Sequence, residues 1–97
     1  MSSRLVLALD ETDPVRALDV AKNVAPFVAK IKINYPLVLS AGLEIVTEIS
    51  KFSPVICDFK VADIPNTNRL IAKEAFEAGA SGIIAHAFPG PESLKAI

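Results

Sequence analysis

Apolar residues in this chain gather into four short runs: "RLVLAL" (4–9), "AKIKI" (29–33), "PVICDFK" (54–60) and "SGIIAHA" (81–87). The runs are nearly continuous, the pattern expected of parallel strands covered on both faces; a sheet with one wet face would alternate. Between them, apolar positions recur at helical spacing. The first helix is announced by "TDP": Thr12 or Asp13 can cap, Pro14 suits the first helical position, and Val15, Leu18, Ala21 and Val24 share a face. A second helix is predicted from Leu43 to Phe52, after a turn at "PLVLS" (36–40). The third opens at "IPNTN" (64–68), carries the stripe Ile71, Ala75 and Ala78, and stops at Gly79. A fourth opens at "GPES" (90–93).

The strands begin about 26 residues apart, which is a regular β-α module. Strands joined by helical crossovers are parallel, with right-handed connections. Two closures fit, an open doubly wound sheet or a (β/α)8 barrel. The sequence lacks GxGxxG and the P-loop pattern of the nucleotide-binding open sheets. Eight such modules need roughly 210 residues, near the lower end for barrels. Four strands in 97 residues therefore predict one incomplete domain over 1–97, the N-terminal half of a (β/α)8 barrel. Its two raw sheet edges and its chemistry would call for a C-terminal half.

Charge and composition exclude several classes. A net charge of −1 offers no basic field for nucleic acid or an anionic membrane. The N-terminal apolar run stops at Asp10, too early for a signal sequence or a span. The single cysteine, Cys57, has no internal disulfide partner, which fits a reducing, cytoplasmic setting. One His, one Cys and scattered carboxylates match no metal-ligand spacing, and no cofactor motif is present.

The polar residues then sharpen the picture. Side chains two apart on a strand share a face. Ile56, Asp58 and Lys60 therefore lie opposite Val55, Cys57 and Phe59. The same alternation aims Asp10, Lys32 and His86 inward from the other three strand ends. In α/β barrels and open α/β sheets, that C-terminal end holds the active site. Taken singly, these residues have plainer readings: Asp10 as a turn or cap, Asp58 with Lys60 as a structural ion pair, Asp63 as a helix cap, Thr67 and Asn68 as first-turn residues. Convergence from four strands favours chemistry.

Alternating charges share a poorly hydrated pocket at reduced cost. An aspartate held by two lysines stays ionised and repels a substrate carboxylate beside it. At about 4 Å and an effective dielectric of about 20, that is on the order of 4 kcal/mol. Release in the transition state corresponds to roughly a thousandfold in rate. Loss of CO2 relieves it, and a lysine can protonate the carbanion left behind. The array suits a decarboxylation without metal or cofactor, and a sugar-phosphate isomerase could use similar charges.

"DFKVADIPNTN" (58–68) resembles the signature of the orotidine 5′-monophosphate decarboxylase family, in an archaeal form. "LALD" (7–10), "KIKINYPLVLSAG" (30–42) and "IIAHAFPG" (83–90) resemble that family's other strand ends, in order and over nearly the whole chain. The resemblance implies a TIM barrel that works as a homodimer and converts orotidine 5′-monophosphate to UMP in pyrimidine biosynthesis. It implies a catalytic tetrad of Lys32, Asp58, Lys60 and Asp63, with Lys60 protonating C6 and Asp58 stressing the departing carboxylate. Asp10 and Lys32 would hold ribose hydroxyls. Asp63, with Ile64 and Thr67 beside it, would enter the partner subunit's site. A related branch, the Mg2+-dependent sugar-phosphate decarboxylases and aldolases, resembles this core but carries a glutamate where this chain has Lys32. A third possibility is a non-catalytic half-barrel that self-associates through its edges.

Overall fold

A computed structural model describes residues 3–97. Four strands, β1 (Val6–Leu9), β2 (Lys30–Ile33), β3 (Val55–Val61) and β4 (Gly82–Ala85), form one sheet in the order β1-β2-β3-β4. Every neighbouring pair is parallel, with Leu9 opposite Ile33 and Ile33 opposite Cys57. The connections are α1 (Pro14–Val24), α2 (Tyr35–Ala41), α3 (Glu44–Ser50) and α4 (Pro65–Glu77), and α5 (Pro91–Lys95) follows β4. Among the described residues, no helix is long and apolar enough to cross a membrane.

The core lies between the sheet and its helices. Ile31, Ile33, Val55 and Cys57 are fully buried beneath Ala21, Leu37, Val46 and Ile49. Among the described residues no helix covers the opposite face of the sheet, and Val6, Ala8, Asp10, Lys30 and Ile84 are exposed there. The alternation expected from the sequence is thus the division between these two faces.

Local signals explain most boundaries. Asp13 caps α1, its Oδ1 accepting the Val15 N–H at 2.9 Å, with Pro14 next in line. Gly79, at φ +112°, ends α4 in the left-handed region that a glycine tolerates. Three expectations need correction. "PLVLS" is not a turn but most of α2, capped by Asn34, whose Oδ1 accepts the Tyr35 N–H at 2.7 Å. Val15 is 76% exposed; α1 buries Ala17 and Ala21 instead, four residues apart and so on one face of the helix. Strand β4 is shorter than 81–87, so His86 lies just beyond it, tied to β3 by its N–H to the Val61 carbonyl at 2.9 Å.

Candidate active site

β3 delivers the central charges. Asp58 is 4% exposed and sits on the face away from the helices. Its Oδ2 accepts a hydrogen bond from Lys60 Nζ at 2.8 Å and forms an ion pair with Lys32 Nζ at 3.5 Å. Its Oδ1 is buried without any hydrogen-bond partner. Such an atom forfeits about 1–3 kcal/mol of solvation unless something arrives to use it. The hydrogen bond from Lys60 holds the Asp58 carboxyl below its ordinary value, and the nearby Lys60 and Lys32 charges add to this against the opposing effect of burial. The carboxylate therefore stays ionised at neutral pH, with one oxygen held and one free.

Lys60 reaches this position through an irregular backbone. The β3–β4 pairing runs Cys57 with Ile83 and next Val61 with Ala85, so β3 inserts extra residues between matched positions. Lys60 has φ +46°, the sole positive φ outside glycine among the described residues. A lysine in that region carries about 1–3 kcal/mol of strain, which persists where surrounding contacts enforce it. Phe59, just before it, is buried on the helical side and stacks on Tyr35 with ring centroids 5.0 Å apart and an interplanar angle of 13°. The Tyr35 hydroxyl donates to the Phe59 carbonyl at 2.6 Å.

The structure brings Lys32, Asp58 and Lys60 together and leaves the other expected residues around them. Asp10 and His86 are exposed at their strand ends, and the His86 ring lies 5.1 Å from that of Phe88. Asp63 makes no ion pair with either lysine. Nor does it cap α4, whose N-cap is Ile64 without a side-chain bond. Asp63 Oδ1 instead accepts the Ile64 N–H at 2.7 Å, fixing the turn, and the side chain remains exposed with Ile64. Thr67 is half-buried in the first turn of α4.

The roles of two residues escaped the sequence reading. Asn68 is 1% exposed: its Oδ1 accepts the Asp63 N–H at 2.9 Å and its Nδ2 donates to the Ser93 carbonyl at 3.0 Å. It therefore latches the Asp63 turn to α5. Tyr35 is the other, and "NYP" held the signal, because an Asn before a Pro-containing first turn marks a helix start. Among the described residues no group of three His, Cys, Asp or Glu side chains could hold a metal ion. The central carboxylate is flanked instead by two ammonium groups, Lys60 at 2.8 Å and Lys32 at 3.5 Å.

A family model described as "Orotidine 5'-phosphate decarboxylase / HUMPS family" matches residues 3–97. The chain is 54% identical over 92 residues to the orotidine 5′-phosphate decarboxylase of Methanosarcina mazei, a match that covers 95% of this chain and 42% of that protein. Among solved structures it is similar to orotidine 5′-phosphate decarboxylase from Pyrococcus horikoshii, with a TM-score of 0.93, 44% identity and coverage of 96% of this chain and 46% of the other. It is also similar to the Methanocaldococcus jannaschii orotidine 5′-monophosphate decarboxylase solved in complex with the inhibitor BMP, with a TM-score of 0.91 and 51% identity, over 99% and 45% of the two chains. The chain spans less than half the length of these relatives. Its four β/α units follow the path of a (β/α)8 barrel over that span.

Proposed function

This chain belongs to the orotidine 5′-phosphate decarboxylase / HUMPS family, and on that premise we propose that it carries the reactive half of an orotidine 5′-monophosphate decarboxylase. One observation supports the reading above the rest: Asp58 is buried and ionised between Lys32 and Lys60, with Oδ1 unpartnered. A substrate carboxylate placed beside that oxygen is repelled in the ground state. When its C–C bond breaks, CO2 leaves and the electron pair stays on C6. Lys60 gives its proton to that carbon and is recharged from solvent. Asp10 and Lys32 are assigned to ribose hydroxyls. The Mg2+-dependent branch fits less well, because the Lys32 ammonium would repel a divalent cation beside Asp58.

We assign Asp63, Ile64 and Thr67 to the site of a second subunit in a cytoplasmic homodimer. The exposure of Asp63 and Ile64, and the lack of an ion pair from Asp63 to Lys32 or Lys60, support this. So does the apolar groove between α2 and α4, about 450 Å³ in volume and walled by Tyr35, Leu39, Leu70 and Ile71. Leu39 is 81% exposed at its rim, and exposed apolar patches mark interaction surfaces. Turnover requires the further β/α units that the relatives possess, since binding energy from remote parts of a substrate drives the chemistry.

The test is a graft. This chain replaces the matched N-terminal part of the Methanosarcina mazei decarboxylase, and loss of orotidylate absorbance is followed. Expected are turnover in the graft, a dimer by light scattering, and at least a thousandfold loss of kcat in Lys60→Ala. Full turnover in Lys60→Ala sinks the mechanism, and an active monomer sinks the shared site.

A further inference from the structure

We propose that Tyr35 is a positioning residue for Lys60: its hydroxyl holds the β3 bulge from the helical side, so that the lysine on the other side meets Asp58. Phe59 lies beyond Cys57, the last β3 residue matched to β2, and between the two β3 residues matched to β4 around the bulge. The Tyr35 hydroxyl supplies a donor to its carbonyl at 2.6 Å, while the stacked rings fix the direction of approach. The grip is itself anchored, since Tyr35 opens α2 and its N–H is held by Asn34 Oδ1.

Lys60 follows at φ +46°, a conformation that a non-glycine residue leaves unless it is held. Relaxing the bulge would rotate the peptide between Phe59 and Lys60 and swing the lysine off its 2.8 Å contact. The Lys60–Asp58 bond alone is weak restraint, because the lysine side chain is half exposed. Tyr35 therefore acts through the backbone and never touches the reacting atoms.

The placement of Lys60 stands on geometry, whereas the effect on turnover rests on the decarboxylase reading. The experiment separates them. In the chain itself, the Asp58 carboxyl is titrated by 13C NMR in the unaltered protein, in Tyr35→Phe and in Thr47→Val. Tyr35→Phe keeps the stacked ring and removes only the hydroxyl. Thr47→Val removes a comparable bond, Thr47 Oγ1 to the Ala78 carbonyl at 2.6 Å, far from the bulge. Expected is an upward move of the Asp58 titration by about half a pH unit or more in Tyr35→Phe, with none in Thr47→Val. In the graft, Tyr35→Phe lowers kcat about tenfold with KM unchanged. An unmoved Asp58 titration in folded Tyr35→Phe, or a lowered melting temperature with kcat intact, overturns the proposal. An inactive unaltered graft overturns the decarboxylase reading alone, and the titration still decides the role of Tyr35.

Discussion

Cys57 and Asp58 are adjacent in sequence, both acids and both buried, but they point to opposite faces of β3 and the fold treats them in opposite ways. On the helical face Cys57 belongs to the buried apolar cluster, and burial pushes its thiol up to about 11. On the other face, burial opposes ionisation of Asp58 as well, but the hydrogen bond from Lys60 and the paired lysine charges reverse the outcome. The difference lies in what the neighbouring strands supply. β2 sends Ile31 and Ile33 to the dry side and Lys32 to the other. One strand thus builds a core and a charged site back to back.

The hardest way to break this comparison is to move the acid across the strand. Cys57→Asp places a carboxylate in the apolar cluster that holds Ile33, Val46 and Ile49, on the face opposite the Asp58–lysine pairs. An unpaired buried charge of this kind costs on the order of 5 kcal/mol, comparable to the whole stability of a small domain. The expected result is a chain unfolded at neutral pH by circular dichroism, recovering structure as acid neutralises the new carboxyl. A native spectrum at pH 7 would mean that the helical face is wetter than its burial implies.

How much of this division was legible beforehand follows from the same two residues. Alternation is a property of backbone geometry, so it separated Asp58 and Lys60 from Cys57 and Phe59 without any structure. The cap at Asp13 and the stop at Gly79 are local signals and were equally readable. The bulge was not. Extra residues in β3 leave no mark when the strained position is a lysine rather than a glycine, and the hydroxyl that holds it comes from Tyr35, 24 residues away. Asn68 read as an ordinary first-turn residue because its partners, Asp63 and Ser93, meet only after β4 is in place. The plainer reading of Asp63 as a helix cap fails for a related reason: its bond to the Ile64 N–H satisfies the turn before the helix begins.

A gentler test leaves each acid in place and titrates it. Cys57 has its folded value raised, from 9.0 to about 11. A raised value stabilises the fold fully below the unfolded value, and the contribution is lost as pH rises through the folded one. The window is therefore pH 9 to about 11. Two pH units correspond to about 3 kcal/mol. The urea midpoint should fall more steeply across that window in the unaltered chain than in Cys57→Ala, whose midpoint is lower throughout but flatter. Parallel curves would show that the thiol ionises as readily in the fold as out of it.

Asp58 provides the mirror image, and the smallest effect. Its folded value is lowered, so its contribution is present above the ordinary aspartate range, near pH 4, and is lost as pH falls through the folded value. The magnitude is held down because Lys60 is 52% exposed at its side chain and solvent screens the pair, which places the effect below about 1 kcal/mol. Asp58→Asn should remove that part of the acid limb, seen as a smaller drop in urea midpoint between pH 5 and pH 3. Raising the salt concentration should shrink the difference further, because the exposed lysine is screened while the buried thiol on the other face is not. A difference that survives molar salt would place the stabilising charge on Lys32, the less exposed of the two, rather than on Lys60.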